Sequence, residues 1–346
     1  MDNQSDNGFP LTRAEYQRQI RGGNNQNNNG PRRHRGRKIF GIVILILLII
    51  AAIFGGLAWH NAKKTSDQMF TSSGANKQRD AQKVLAQKRP VSILLLGTDT
   101  GDLGRTYKGR TDTIMVMTIN PQTKKTTLMS IPRDMKVNLP DYPDESPAKI
   151  NAAYAYGGTK ETINTVQKYF NIPIDFYALV NMAGMKEAIN QVGGVTVTSP
   201  LTFTYEGYSF TKGVPEHMNG AKALKFCRMR YDDPQGDYGR QQRQKMVIMA
   251  LLKKSASYKT VLNQKFLKTI SKNAHTDLTF NNMMRLAKSY RSATKNIQQG
   301  HVQGTDDDSD GQSFQDVSYN ERQRVSNLLR KSLGLNAVDI DSGSDE

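Results

Sequence analysis

Charged side chains cluster where the sequence predicts strands to begin or end. Asp99 follows the run VSILLLGT, Arg110 and Asp112 open the run TIMVMTI, and Arg133 follows TTLMSI. A guanidinium matches the oxygens of a phosphate, and Mg²⁺ shared with a phosphate lets two carboxylates approach each other. Each residue alone would be explained as a solvated loop charge or a surface ion pair. Together, at the ends of neighbouring strands, they predict a site for a pyrophosphate with Mg²⁺.

A second polar group lies about a hundred residues further along the chain. Arg228 and Arg230 follow a short predicted helix. A longer predicted helix begins with four further polar residues: Asp237, Arg240, Arg243 and Gln244. The same residue types recur, so both groups are candidates for one phosphate-binding site.

Missing motifs exclude other chemistries. The sequence has no G-x-S-x-G, H-E-x-x-H, Walker A or G-x-G-x-x-G motif, and its five histidines are scattered, which argues against serine hydrolases, zinc hydrolases and nucleotide-binding folds. Asp306–Gly311 matches the start of an EF-hand loop, but Val317 stands where the bidentate glutamate belongs, so a solvated acidic loop is favoured over a calcium site. The single cysteine, Cys227, excludes an internal disulfide and is expected to pack rather than react.

The elements that hold these residues alternate between strands and helices. Strands are predicted at 91–97, 113–119, 126–131, 176–180 and 195–198. Helices are predicted at 151–170 with an interruption at Gly157-Gly158, at 182–192, 219–226, 239–254 and 319–333. This order predicts an α/β fold with a central mixed β-sheet flanked by helices.

A membrane anchor is predicted before this domain. Residues 39–59 carry no charge, and as a helix they would span roughly 30 Å, the thickness of a hydrocarbon core. Basic residues are concentrated before this run, which places 1–38 in the cytoplasm and the rest of the chain outside. A cleaved signal peptide is the alternative, and the length of the run and the lack of a convincing A-x-A site disfavour it.

The net charge of +17 predicts attraction to polyanions, whether nucleic acid, an anionic membrane surface or a phosphorylated substrate. Residues 1–38 hold eight Lys and Arg and three Asp and Glu, so the remaining chain is itself strongly basic. The leader contains no DNA-reading fold, and nucleic acid is therefore not expected as a partner.

Five segments appear in order along the chain: LLLGTDTGDLGRTYKGRTDTIMVMTINP, TTLMSIPRDM, KINAAYAYGG, INQVGGVTV and ALKFCRMRYDDPQGDYGRQQRQK. They resemble the LytR-CpsA-Psr family of bacterial cell-envelope proteins over about 91–335. The resemblance implies a sheet wrapped by helices with an apolar pocket for a polyprenyl chain. It also implies Mg²⁺-assisted transfer of an anionic glycopolymer, of wall teichoic acid or capsule type, from undecaprenyl pyrophosphate onto peptidoglycan outside the membrane.

The resemblance also assigns roles to residues. Two aspartates, Asp99 and Asp112, would bind Mg²⁺. The rest of the catalytic set would be four arginines that hold the pyrophosphate: Arg110, Arg133, Arg228 and Arg230. A second cluster around the head group would comprise Asp237, Arg240 and Gln244, and Lys149 would face the acceptor. The general base stays open among Asp99, Asp112 and Asp237.

Two rival functions use the same residues. One is a non-catalytic envelope regulator that binds lipid pyrophosphate, and the other is a hydrolase in which water replaces the peptidoglycan acceptor. The predicted organisation comprises a disordered basic leader (1–38), a transmembrane helix (39–59), a stalk (60–89), an extracellular catalytic domain (90–335) and an acidic disordered tail (336–346). The chain would thus be a single-pass membrane protein, in contact with membrane lipid, whose catalytic domain lies outside the cell.

Overall fold

A mixed six-stranded sheet forms the centre of the protein. The computed structural model describes residues 56–57, 59–98, 109–255, 263–308 and 311–340. The predicted leader, nearly all of the predicted transmembrane run and Asp99 lie outside the described residues. Within the described ranges, no helix has both the length and the apolar character needed to cross a bilayer.

The strands, in chain order, are β1 (Val91–Thr98), β2 (Thr111–Asn120), β3 (Lys125–Ile131), β4 (Lys136–Val137), β5 (Ala148–Lys149), β6 (Phe176–Asn181), β7 (Val195–Thr198), β8 (Phe203–Tyr205), β9 (Tyr208–Phe210), β10 (Pro215–Met218), β11 (Ala274–Thr276), β12 (Ile297–His301), β13 (Thr305–Asp307) and β14 (Phe314–Asp316). The helices are α1 (Ala81–Ala86), α2 (Ala152–Phe170), α3 (Met182–Gln191), α4 (Gly220–Arg228), α5 (Gly236–Ser255), α6 (Gln264–Ile270), α7 (Phe280–Ser289) and α8 (Tyr319–Ser332). Short 3₁₀ turns cover Pro143–Glu145 and Arg291–Lys295.

The sheet has the strand order β11-β6-β1-β2-β3-β12. Strand β2 is antiparallel to both β1 and β3, whereas β6 is parallel to β1 and β12 is parallel to β3. The C-terminal ends of β1, β3, β6 and β12 therefore share one edge, at which β2 begins. Ligands of α/β sheets commonly bind at such an edge. We call it the site edge.

Side chains alternate between two cores, one on each face of the sheet, because successive strand residues point to opposite sides. Leu94, Val116 and Met129 pack on one face with α2 and α8. Met115 and Leu128 pack on the other face with α7 and part of α5. Both faces of β2 are buried, which explains why its sequence is mostly apolar after Asp112.

Helix α2 carries the predicted interruption. Gly158 has φ 68° and ψ −150°, a backbone conformation that L side chains rarely adopt, and it divides the helix into two segments. The prediction from Gly157-Gly158 is confirmed. The first segment of α2 begins directly after Asn151, beside the site edge.

The segment predicted to be a stalk, 60–89, packs onto the folded domain instead. Residues 59–67 are helical, and Ala62 and Met69 are buried. The backbone N–H of Thr71 donates to the carbonyl of Thr276 at 2.9 Å. Arg79 pairs with the fully buried carboxylate of Asp175 at 2.5 Å. These contacts could not be predicted from the weak helical pattern of the sequence, because the segment packs through single residues rather than through a continuous apolar stripe.

Two other segments predicted to be unstructured are ordered within the described residues. The acidic segment contains strands β13 and β14, which pair antiparallel. The side chain of Phe314, the first residue of β14, is 2 % exposed. Within the predicted tail, Ile340 is buried, and its N–H donates to the Gln323 side chain at 2.9 Å. In both cases one buried apolar residue anchors a polar stretch, which composition alone does not reveal.

Candidate functional site

A cluster of alternating charges lies at the site edge. The guanidinium of Arg133 donates to Asp112 at 2.5 Å and to Asp134 at 3.3 Å, and Lys149 lies 3.1 Å from the other oxygen of Asp134. All four side chains are between 19 % and 25 % exposed, so they are screened from water yet reachable by a ligand. We call Asp112, Arg133, Asp134 and Lys149 the charged cluster. The structure thus brings together Asp112 from β2 and Arg133 from the loop after β3, as the strand-end argument predicts.

Backbone hydrogen bonds fix the loop that carries Arg133 and Asp134. The N–H of Asn151 donates to the carbonyl of Arg133 at 3.1 Å, and the N–H of Ile150 donates to that of Met135 at 2.8 Å. On the other side, the N–H of Gln315 in β14 donates to the carbonyl of Asp134 at 2.8 Å. The acidic hairpin is therefore a wall of the site rather than a solvated loop.

The hairpin also positions two lysines. Lys136 pairs with Asp307 at 3.1 Å, and the ammonium groups of Lys136 and Lys149 lie 5.3 and 5.9 Å from the centre of the Phe314 ring. These are distances at which a cation is attracted to the face of an aromatic ring. Sequence reasoning placed Asp134 beside Arg133 at the end of a strand but gave it no role, and it missed Lys136 and Phe314.

Arg110 immediately precedes β2 and is exposed. A hydrogen bond to Glu145 raises the pKa of Tyr156, and the charge of Arg110 opposes that rise. Arg110 therefore lies beside the first segment of α2, close in sequence to Asp112. Its exposed guanidinium can be reached by a ligand at the rim of the site edge.

The metal-binding potential of the cluster rests on Asp112. Its Oδ1 accepts from Arg133, and the side chain is 24 % exposed, so a cation can approach the carboxylate, the ligand type that Mg²⁺ prefers. Asp99, the other predicted ligand, lies outside the described residues. The described part of the chain contains no group of three or more His, Cys, Asp or Glu that could hold a metal ion. A single accessible carboxylate at the edge is compatible with a cation shared with a ligand.

Helix α5 brings part of the second predicted group to the same edge. The hydroxyl of Thr113 donates to Gln244 Oε1 at 2.8 Å, which fixes α5 against the start of β2. Arg240 lies one turn earlier in α5 and is 7 % exposed. The backbone of Asp237 is in the first turn of α5, but its side chain is not among the described ones. Gln244 and Arg240 therefore approach the site from the face of the sheet opposite α2.

Arg243 has a structural position rather than a ligand-facing one. Its side chain is fully buried, and it donates to the carbonyls of Phe226 and Met229 and to the carboxylate of Asp233. These bonds tie the end of α4 and the following loop to α5. Arg228 is the last residue of α4, and Arg230, which is exposed, lies in that loop. Arg243 thus fixes the backbone from which the side chains of Arg228 and Arg230 extend.

Cys227 packs in the cluster formed by α4, α5 and the β7–β10 region. It is fully buried, and burial raises the pKa of its thiol to about 12. A thiol with so high a pKa holds almost no thiolate near neutral pH. This agrees with the prediction that Cys227 packs rather than reacts.

An apolar cavity of about 200 Å³ begins next to Thr113 and Gln244. It lies between the β1–β6 strands and helices α3 and α5, and its walls include Leu95, Val180, Met185, Ile248 and Leu252. Its volume is below the roughly 300–1,000 Å³ of usual ligand pockets, so a long apolar chain would have to widen it. The methionines in its wall are the side chains best suited to move.

Comparisons with known proteins identify the family. The LytR_cpsA_psr family model matches residues 56–331. The chain belongs to the LytR-CpsA-Psr family. It is 42 % identical over 296 residues to the polyisoprenyl-teichoic acid–peptidoglycan teichoic acid transferase TagU of Enterococcus faecalis, a match covering 85 % of this chain and 96 % of that protein.

Solved structures agree with the described fold. The crystal structure of a protein from Enterococcus faecalis named as a transcriptional regulator is 36 % identical, with a TM-score of 0.65 over 76 % of this chain and 92 % of that one. A structure of TagT bound to LI-WTA is 26 % identical, with a TM-score of 0.60 over 75 % of this chain and 94 % of that one. The predicted family, the mixed α/β sheet flanked by helices and the transferase class are confirmed. The roles of individual site residues stay predictions.

Proposed function

We propose that this protein transfers a teichoic-acid-type glycopolymer from a polyprenyl pyrophosphate carrier onto peptidoglycan. The observation that carries the proposal is the charged cluster at the site edge, with the apolar cavity opening beside Thr113. One substrate with a charged head group and an apolar tail fits both features. The name of the E. faecalis relative and the TagT complex support the choice of teichoic acid and peptidoglycan.

In the proposed reaction a peptidoglycan hydroxyl attacks the phosphorus bonded to the glycopolymer. The new oxygen–phosphorus bond forms as the bond to the lipid phosphate breaks, and the lipid phosphate leaves with the bridging oxygen. The hydroxyl proton passes to a carboxylate, for which Asp99, Asp112 and Asp237 are the candidates. Arginine does not serve as the base because it keeps its proton at working pH.

The chain's own residues contribute mainly positioning and charge. Arg110, Arg133, Arg228 and Arg230 would neutralise the pyrophosphate and hold it for in-line attack, which is how proteins accelerate phosphoryl transfer. Mg²⁺ held by Asp99 and Asp112 would supply further positive charge at the pyrophosphate. Lys149 faces the same space from β5 and would approach the acceptor.

The proposed reaction takes place on the outer side of the membrane. The uncharged run 39–59 would anchor the chain with its N-terminus in the cytoplasm and the described domain outside, where peptidoglycan is found. The basic net charge of the part after residue 38 suits a surface that meets anionic lipids and an anionic polymer. Undecaprenyl pyrophosphate is the carrier proposed for this compartment.

A non-catalytic regulator is the second candidate, favoured by the naming of the related E. faecalis structure as a transcriptional regulator. Removing residues 1–30 separates the two functions. Transfer of glycopolymer depends only on the domain after the membrane run and should survive the deletion. Signalling through the cytoplasmic leader should be lost.

The enzymatic proposal is tested with the purified full-length chain, Mg²⁺, a labelled undecaprenyl-pyrophosphate oligosaccharide and uncrosslinked peptidoglycan. We expect Arg110→Ala and Asp112→Asn to abolish transfer without unfolding the protein, because both side chains are partly exposed. Arg291→Ala, an exposed arginine distant in sequence, is the matched control and should transfer normally. Full activity in a folded Arg110→Ala protein would contradict the proposal.

A further inference from the structure

A polar pocket of about 560 Å³ borders a different face of α5 from the apolar cavity. Gln244, Ile248 and Leu251 of α5 face the cavity. Tyr238 and Lys245 of the same helix face the pocket, whose other wall is the edge strand β12 and the residues after it. Helix α5 therefore separates an apolar compartment from a polar one. We call the polar one the glutamine pocket.

The chemistry of the glutamine pocket is that of a site for a polyhydroxylated ligand with amide groups. Five of its eight described lining side chains are glutamine amides, and none is a carboxylate. A carboxamide both donates and accepts hydrogen bonds, which suits hydroxyl and acetamido groups. The rings of Tyr238 and His301 lie 5.7 Å apart and give the pocket an aromatic surface.

Lys245 is the buried charged side chain among the described residues that line this pocket. It is 6 % exposed, and its ammonium donates one hydrogen bond within the described residues, to the carbonyl of Gly300 at 3.2 Å. Burial lowers the pKa of this lysine. An ammonium can donate three hydrogen bonds, and a buried one with unused donors is costly unless a ligand accepts from it. The donor polymer, which carries a phosphate charge along its length, would call for several cations here rather than one.

Hydrogen bonds connect the pocket to the charged cluster. The hydroxyl of Tyr238 donates to Gln315 Oε1 at 2.7 Å, and the backbone N–H of Gln315 donates to the carbonyl of Asp134 at 2.8 Å. Asp134 in turn pairs with Arg133. Two residues, Gln315 and Asp134, thus connect Tyr238 in the pocket wall to the guanidinium proposed to hold the pyrophosphate.

We propose that the glutamine pocket binds the acceptor, an N-acetylated glycan strand, and presents one of its hydroxyls to the head group held at the charged cluster. The inference rests on the proposed transfer and adds the acceptor subsite to it. In-line displacement requires the attacking hydroxyl to approach opposite the leaving lipid phosphate. Because the cavity and the glutamine pocket border different faces of α5, the lipid tail and the acceptor would reach the head group from different directions.

The test is direct binding to the full-length chain, with a soluble peptidoglycan tetrasaccharide, free of lipid, as the probe. In the double variant Gln242→Ala/Gln299→Ala both changed residues are exposed, so the fold is not at stake. We expect the Kd for the tetrasaccharide to rise about tenfold or more, the effect of losing two ordinary hydrogen bonds. Gln298→Ala changes the neighbouring exposed glutamine of β12, which is not among the described lining residues, and should leave the Kd unchanged.

A second arm separates acceptor from donor. Binding of undecaprenyl-pyrophosphate disaccharide should be the same in the double variant and the wild type. Weaker donor binding with unchanged tetrasaccharide binding would overturn the assignment, as would a wild type that binds no tetrasaccharide at millimolar concentration. Because binding is measured without turnover, a chain that binds the tetrasaccharide but transfers nothing would refute the proposed function and leave the subsite standing.

Discussion

At the scale of single residues, Arg133 has the central position in the charged cluster. Its guanidinium bridges two carboxylates that belong to different elements, Asp112 of β2 and Asp134 of the loop after β3. A bound pyrophosphate would compete with Asp112 for the same donors and free that carboxylate for a cation. The Arg133–Asp112 ion pair therefore keeps the guanidinium in position for an anion and leaves neither charge unpaired before the anion binds.

We expect Arg133→Lys to lower the rate of transfer by about 10- to 100-fold, because a lysine keeps the charge but loses the planar fork and at least one charge-assisted hydrogen bond. The free energy of unfolding should change by no more than about 1 kcal/mol, since the ion pair is partly exposed. Steady-state transfer rates and urea unfolding of the same preparations measure both. An unchanged transfer rate would show that the guanidinium of Arg133 does not hold the pyrophosphate.

Arg243 illustrates the opposite case, a charged residue whose role is structural. We expect Arg243→Met to cost about 3–5 kcal/mol of stability, because it leaves Asp233 buried without its partner and two carbonyls without donors. Urea unfolding measures the loss, and Lys253→Ala, an exposed change on the same helix, is the control. A folded Arg243→Met protein of wild-type stability that had lost only lipid binding would show that Arg243 contacts substrate instead.

At the scale of elements, α5 joins the two ends of the proposed substrate. Its polar first half carries Arg240 and Gln244 at the site edge, and its apolar second half lines the cavity with Ile248 and Leu252. A lipid pyrophosphate would lie along this helix with its head group at the site edge. The cavity is then the element-level feature most open to test.

We expect Ala188→Phe, on the cavity-facing side of α3, to fill the cavity and abolish stabilisation by lipid. Undecaprenyl phosphate at about 100 times its Kd should stabilise the wild type by roughly 2.7 kcal/mol, which raises its Tm measurably. The variant should melt at the same temperature with and without lipid. An equal shift in both proteins would place the lipid elsewhere.

At the scale of the whole molecule, several buried acids predict how stability depends on pH. Burial raises the pKa of Cys227, Tyr177 and Tyr290 to about 12 each. Their unfolded pKa values lie near 9 for the thiol and 10 for the phenols, so above these values protons are lost from the unfolded chain first. The stability that these groups contribute is complete below pH 9 and is lost as pH rises toward 12.

We therefore expect the urea midpoint of the full-length chain to fall steadily between pH 9 and pH 12. Cys227→Ala should show a shallower fall between pH 9 and pH 10, where the thiol loses its proton ahead of the phenols in the unfolded state. Equilibrium unfolding at fixed ionic strength measures both slopes. A midpoint that is flat up to pH 11 would mean that these side chains are more accessible than the structure indicates.

Sequence reasoning succeeded where patterns are continuous and failed where single contacts decide. The apolar runs of β1, β2 and β3 and the Gly157-Gly158 interruption of α2 could be predicted because periodicity and glycine chemistry are local signals. Strand β12, with the sequence IQQGH, could not, because an exposed edge strand needs no apolar alternation. The same applies to the hairpin of β13 and β14, where Phe314 is the buried anchor of an acidic stretch.

The candidate site shows the same division. Asp112 and Arg133 could be predicted from their places at strand ends, since the topology of a mixed sheet brings those ends together. Arg243 could not be told apart from Arg240 and Gln244, because which face of a helix is buried depends on the elements that pack against it. Arg228 is predicted to follow the helix but is the last residue of α4, because the helix extends two residues beyond the predicted end at 226. Arg230 lies in the loop that Arg243 ties to α5.

In the proposed transfer, the phosphate bonded to the glycopolymer moves with it onto peptidoglycan. The most direct test places ³²P in that phosphate of an undecaprenyl-pyrophosphate oligosaccharide and incubates it with the full-length chain, Mg²⁺ and uncrosslinked peptidoglycan. After muramidase digestion, we expect the label in glycan fragments, with unlabelled undecaprenyl phosphate released in equal amount. Label that leaves as free sugar phosphate would indicate a hydrolase, and label that stays on the lipid would contradict catalysis by this protein.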